Sequence, residues 1–283
     1  MLKIENEHIA AKINPFGAEL SSLVKKETSR EYLWQADNAV WGRHAPILFP
    51  VVGRIAGDTF THGGEQYFMQ KHGFARNSNF EVISSSKTSV ALRMKSDENT
   101  KKTFPFDFEL DAYFSLSEEN TLKMEYVVRN VGSERMYFSI GMHPGFFCKF
   151  GDFIRFEKAE TMKVPYLDGS DTLADPNKFI ELKNENKITL TKDLFEQGSL
   201  AFEAPVSSYA ELCTPDGKAY LRESFGKIPM LWMWAKAGYE YVCVEPWFGS
   251  DERYPTNVLA DKKGIVSLDF SKEFRFPMEI TLI

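Results

Sequence analysis

Between Asp107 and Asn130 apolar and polar residues alternate with a period of two, in two successive runs. Phe108, Leu110, Ala112, Phe114 and Leu116 share one parity, and Asp107, Glu109, Asp111 and Ser115 take the other. Successive side chains of a strand point to opposite faces, so this pattern describes a strand with one face in a core and one in water. Ser117-Glu118-Glu119-Asn120 interrupts it. Leu122, Met124, Tyr126 and Val128 then resume it against Lys123, Glu125 and Arg129. After a second turn at Val131-Gly132-Ser133-Glu134, Met136 to Gly141 reads as a third strand. The segment predicts a three-stranded antiparallel meander.

The rest of the chain repeats this in short pieces. Ile4 to Val24 holds two or three strands around the turn Asn14-Pro15-Phe16-Gly17, and Glu31 to Trp34 reads as another. Asp58 to Gln66 reads as a hairpin turning at Thr61-His62-Gly63-Gly64, with His62 an exposed turn residue. No amphipathic stripe of three helical turns is present, and Leu190 to Phe195 has room for one turn only. Many short strands at even spacing predict an all-β sandwich or barrel. The 283 residues suffice for a large core, and no linker, repeat or low-complexity tract divides them, so 1–283 is expected to be one domain.

Charge and motifs narrow the function. A net charge of −6 without any Lys/Arg run argues against a nucleic-acid groove or an anionic membrane surface. The opening MLKIENEHIA has charges where a signal peptide has its apolar region, and no run of about 18 apolar residues exists to span a bilayer. Cys148, Cys213 and Cys243 lie in apolar surroundings and read as buried free thiols, which fits a cytoplasmic protein. No zinc-type spacing, phosphate-binding glycine loop or GxSxG elbow occurs, so no metal or cofactor is expected.

Candidate chemistry gathers at three places. Tyr241-Val242-Cys243-Val244 is an apolar strand that delivers Glu245, with Pro246 next. Proline cannot donate to a sheet ladder, so the strand is expected to stop at Glu245. A carboxylate among Val, Trp and Phe loses hydration, which raises its pKa and suits a general base. His143 follows Ser139-Ile140-Gly141-Met142 and precedes Pro144-Gly145, which mirrors the placement of Glu245. His72 precedes Gly73-Phe74 at a loop–strand junction. Taken singly, each reads first as a structural residue. Facing one cleft, a Glu and a His make a general acid–base pair, each member typically worth ~10²–10⁴ in rate. A metal set from His72, His143 and Glu245 lacks any closely spaced ligand pair. Trp34, Trp41, Phe74, Phe146, Trp232, Trp234 and Trp247 can wall a cleft or stack on sugar C–H faces. Arg54 and Arg76 can hold hydroxyls or a phosphate, with surface ion pairing the alternative for Arg76. The Pro-punctuated run from Trp41 to Arg54 reads as a loop that lines something.

Four motifs now stand in order along nearly the whole chain: Val52-Gly53-Arg54, Lys71-His72-Gly73-Phe74, Gly141-Met142-His143-Pro144-Gly145-Phe146 and Val244-Glu245-Pro246. Together they resemble the aldose 1-epimerase (galactose mutarotase) family. Pro46 to Arg54 and His72-Gly73-Phe74-Ala75-Arg76 resemble its LacX-type branch more closely. The resemblance implies a galactose mutarotase-like β-supersandwich, a small-molecule sugar substrate and no cofactor. It is compatible with a homodimer. It implies Glu245 as the base that takes the proton of the C1 hydroxyl, His143 as the acid at the ring oxygen, and His72 assisting. Arg54 matches the family's sugar-binding arginine, and Phe74, Arg76 and Trp247 complete the expected substrate-contacting set. The segment aligned with the family's sugar-holding Asp is Gln197 to Phe202, where Gly198 and Ser199 stand instead. Two alternatives on the same fold are a hexose-phosphate epimerase, needing Arg43, Arg54 and Arg76 to converge, and a non-catalytic sugar-binding module.

Overall fold

A computed structural model describes residues 1–167, 177–250 and 256–283. Its axis is the strand Phe153–Leu167, which serves two sheets. Its first residues pair with Tyr209–Cys213, and beyond that strand follow Ala219–Ser224, Glu273–Leu282, Thr121–Asn130, Phe108–Leu116, Ser89–Lys95 and Glu81–Ser85. Its last two residues, Tyr166 and Leu167, pair instead with Ser199–Glu203. From there the second sheet runs through Met230–Trp234 and Tyr241–Phe248 to Ile140–Met142 and Ile47–Leu48. The long strand changes sheets at register shifts between Arg155 and Thr161, as a bulge bends and twists a strand. Glu160 sits in that irregular stretch, 1% exposed. Its carboxylate accepts the Ser207 N–H at 2.9 Å, the Ser207 hydroxyl at 2.6 Å and the Val206 N–H at 3.1 Å. The inner faces of the sheets meet in the core, where Phe146 and Val244 of one pack with Leu212 and Leu221 of the other. The N-terminal strands Leu2–Glu5, Ile9–Asn14 and Glu19–Lys25 form a separate sheet with Arg30–Glu31. Among the described residues no helix is long and apolar enough to cross a membrane.

The first two strands of the expected meander form, in register from Phe108 opposite Asn130 to Leu116 opposite Leu122. The third does not join them. Glu273–Leu282 takes the place beside Thr121–Asn130, and the chain leaves at Asn130, whose side chain donates to Glu134 O and Leu268 O. Met136–Phe138 pairs with Val266–Leu268, and Ile140–Met142 crosses to the other sheet. Alternation shows which face of a strand is buried, not which strand lies next to it. The segment Leu190 to Phe195 forms turns, not a helical turn. His62 is not a free turn residue: its ring lies 4.6 Å from that of Phe106, and Nε2 lies 3.3 Å from Glu134.

Pro246 does not end its strand, contrary to the sequence expectation; Tyr241–Phe248 runs through it. The reason lies in the neighbouring strand. Val244 N–H donates toward Pro144 O, and residues two apart direct their nitrogens to the same side. The Pro246 nitrogen therefore faces Met142, the last residue of Ile140–Met142, so the donor it lacks falls at the end of that short strand rather than inside a continuous one.

Asp111, placed by parity on the wet face, has no exposed surface at all. Arg93 and Arg129 cover it. Arg93 donates from Nε at 2.6 Å and from Nη2 at 2.8 Å, and Tyr113 adds its hydroxyl at 2.7 Å. Burial works to raise the Asp111 pKa, but these donors prevail and hold it below the usual carboxylate range. Removing the carboxylate takes the central partner from two partly buried guanidiniums, leaving Arg93 with Glu109 and Arg129 with Glu273. Asp111→Ala is expected to cost about 2–4 kcal/mol in urea unfolding. A loss below about 0.5 kcal/mol, the size expected for an ordinary surface substitution, would contradict this reading of the network.

Candidate active site

Register builds the site. Gly141 pairs with Trp247 and Gly145 with Cys243, so with the register unbroken His143 falls opposite Glu245. On the other flank of the same strand Trp232 is opposite Glu245 and Trp234 is opposite Cys243. Residues opposite one another in antiparallel strands project from the same face. The result is three rows on the outer face of this sheet, with His143, Glu245 and Trp232 in the middle one. His143 Nε2 lies 3.2 Å from Glu245 Oε2. The flanking rows explain two glycines. A Cβ at Gly141 would lie 2.5 Å from the Trp247 indole, and one at Gly145 would lie 2.7 Å from Trp41.

His72 arrives from outside the sheet. Its own φ is +64°, and Gly73 follows at +66°. A Cβ at Gly73 would come within 2.2 Å of Phe49 O, so the tight turn requires glycine there. The His72 N–H donates to Gly53 O at 2.8 Å, and Gly53 N–H donates to His72 Nδ1 at 3.0 Å. With Nδ1 occupied as acceptor, the proton of the neutral ring is on Nε2. The ring stands edge-on to His143 at 5.9 Å and to Trp247 at 5.7 Å.

These groups line a cleft of about 320 Å³, within the range of small-ligand pockets. Its aromatic walls are Trp41, Trp232, Trp234 and Trp247; Trp41 stacks on His143 at 4.9 Å, and Trp232 on Trp247 at 4.4 Å. Lys71, Arg76, Gly198 and Ser199 contribute the remaining polar lining. Of the residues expected from sequence, Glu245, His143, His72, Arg76 and Trp247 thus come together. Arg54 and Phe74 are not among the described lining residues. Arg54 Nη1 is held 2.6 Å from both oxygens of Asp58. Phe74 packs with Phe49, Phe104 and Phe108 in the core beneath the loop. Lys71, which lines the cleft, was missed by sequence reasoning; its signal was its position next to His72.

Burial dominates the electrostatics. Glu245, His72 and His143 are 2%, 7% and 8% exposed. Burial pushes the His72 imidazole well below its ordinary value, and the positive charges of Arg76 and Lys71 act in the same direction. Burial also pushes His143 down, to about 3, again with Arg76 and Lys71 adding to the effect. An ionised Glu245 at 3.2 Å opposes that push. His143, Cys243 and Glu245 offer ligand atoms within 4.8 Å of one another, the one such set among the described residues. That spread is wider than a tetrahedral zinc site with bonds of about 2.0–2.3 Å needs, and burial holds the Cys243 thiol well above its ordinary pKa.

The chain resembles known proteins throughout its length. Residues 1–192 match the family model for aldose 1-epimerase. The plasmid-encoded protein LacX of Lactococcus lactis subsp. lactis is 28% identical, with 96% of this chain and 97% of LacX aligned. Among solved structures, a galactose mutarotase related enzyme from Lactobacillus acidophilus superposes with a TM-score of 0.91 at 32% identity, covering 100% of this chain and 97% of that one. A galactose mutarotase-like protein from Lactobacillus casei gives 0.90 at 28% identity and full coverage of both. The all-β sandwich is thus the galactose mutarotase-like fold expected from the motifs. The chain belongs to the aldose 1-epimerase family.

Proposed function

We propose that the protein interconverts the α and β anomers of an aldose by acid–base ring opening and reclosure. The observation that carries this reading is the His143–Glu245 pair, 3.2 Å apart on the floor of an aromatic cleft. Ring opening removes a proton from O1 and adds one to the ring oxygen. Both oxygens are bonded to C1, so the base and the acid must stand side by side. Glu245 takes the O1 proton and His143 gives one to the ring oxygen. Rotation about C1–C2 and reclosure on the other face return both protons by the same groups, with no net consumption. His72, neutral and protonated at Nε2, donates a hydrogen bond that orients the sugar. The tryptophans supply apolar faces for its C–H surfaces. The likeness to a galactose mutarotase related enzyme supports this assignment.

The downward push on His143 has a chemical consequence. It makes a protonated His143 a stronger acid toward the ring oxygen, while the Glu245 charge beside it favours its holding that proton. Glu245→Gln is expected to lower kcat/KM for anomer exchange by ~10²–10⁴, followed by NMR on freshly dissolved α-anomers of several hexoses. A variant as fast as wild type would remove Glu245 from the mechanism. The acid must hold its proton, so activity is lost as pH rises through its pKa. Because that pKa is lowered, the decline is expected to begin on the acid side of about 6.5, the ordinary imidazole value. A pH profile of kcat/KM with its alkaline limb above about 6.5 would contradict the role given to buried His143.

A further inference from the structure

An imidazole that transfers protons through one ring nitrogen is ordinarily oriented by a hydrogen bond at the other. His143 lacks that bond. Its Nε2 faces Glu245, and its Nδ1 is buried with no hydrogen-bond partner on any other described residue. What meets the ring is aromatic. Trp41 lies over its face, with ring centres 4.9 Å apart and planes 24° from parallel. His72 and Trp234 stand edge-on to it at 5.9 and 6.2 Å.

Trp41 comes from the loop before Ile47–Leu48, so it needs an anchor of its own. Trp34 provides one: its indole Nε1 donates to Trp41 O at 2.8 Å. Both indoles also pack on Tyr241. Trp34 stacks on that ring at 4.4 Å, and Trp41 lies parallel to it at 5.9 Å. Tyr241 is buried, begins the strand that carries Glu245, and accepts the Lys236 N–H on its hydroxyl at 2.9 Å. One strand thus supports both members of the pair, Glu245 directly and His143 through a column of rings. Trp34 is not among the described residues lining the cleft; it faces a separate cavity with Arg30, Phe147 and Tyr220.

The face of an indole is electron-rich and attracts positive charge, so it favours imidazolium over the neutral ring. That is the form a general acid needs. We infer that Trp41, anchored by Trp34, is a positioning residue for proton transfer: its indole fixes the plane of the His143 ring and favours its protonated form, in place of a hydrogen bond at Nδ1. The inference rests on the anomer-exchange reading and adds two residues to it. The other groups around His143 are Glu245, which favours its charge, Cys243, His72, and the Lys71 and Arg76 cations, which oppose it. None of them is altered by a change at Trp41 or Trp34.

The test follows anomer exchange by NMR across pH in wild type, Trp34→Phe, Trp41→Phe and Trp41→Leu, each checked for folding by circular dichroism. Trp34→Phe keeps a ring against Tyr241 and loses the N–H that holds Trp41. It is expected to lower kcat about threefold to tenfold with KM little changed, since Trp34 does not line the cleft. Trp41→Leu removes the π face, so imidazolium gives up its proton more readily. The alkaline limb of kcat/KM is then expected to move to lower pH by about half a unit or more, with Trp41→Phe restoring part of the shift. A Trp41→Leu variant that raises KM alone, with kcat and the pH limb unmoved, would make Trp41 a plain cleft wall and overturn the inference. So would a folded Trp34→Phe variant with the kcat of wild type. Titration of the His143 ring, read by NMR without substrate, separates this inference from the anomer-exchange reading. A midpoint lower in Trp41→Leu than in wild type supports the stack, and an equal midpoint overturns it, whether or not anomers are exchanged. Wild type that accelerates no anomer exchange would overturn that reading itself.

Discussion

The site depends on one rung of an antiparallel ladder. Register puts His143 across from Glu245, and the short Nε2–Oε2 separation follows from strand geometry. Two backbone features protect that rung. Pro246 lacks its donor opposite the end of the short strand Ile140–Met142, and its own strand continues past Glu245. Gly141 and Gly145 carry no side chains, which leaves the two neighbouring positions to Trp247 and Trp41. The proposed acid and base thereby sit on adjacent strands of a sheet rather than on loops. A loop, locked by the paired hydrogen bonds between His72 and Gly53, brings the third imidazole.

Burying three titratable side chains is unfavourable unless each finds compensation. Glu245 and His143 find it in each other. His72 stays neutral and spends its Nδ1 lone pair on a backbone N–H. Arg76, partly buried beside them, is held through its backbone oxygen and keeps a buried Nε without a partner.

Much of this was legible in the chain. Period-two alternation identified the strands Phe108–Leu116 and Thr121–Asn130, and the repeated pattern of an apolar strand, a titratable residue and a proline singled out His143 and Glu245. The motif order pointed to the family before any coordinates. Long-range pairing was not legible. Nothing local shows that Met136–Gly141 abandons its neighbours, or that Pro246 faces the end of a short strand, because both depend on strands far away in sequence. Side-chain direction was equally hidden. Arg54 and Arg76 looked alike in sequence, but Asp58 four residues on draws Arg54 aside, whereas Arg76 meets no such carboxylate among the described residues. Asp111 was placed in water by parity because parity cannot count the arginines that fold over it.

The central claim is that His143 and Glu245 act as one unit. A double-mutant cycle on anomer exchange tests it most directly, using Glu245→Gln, His143→Asn and the pair together. If the two share one proton-transfer event, removing the second after the first changes little, and the double variant is about as slow as the slower single one. If the two losses multiply, each residue acts on its own and the account of a cross-strand acid–base pair is wrong.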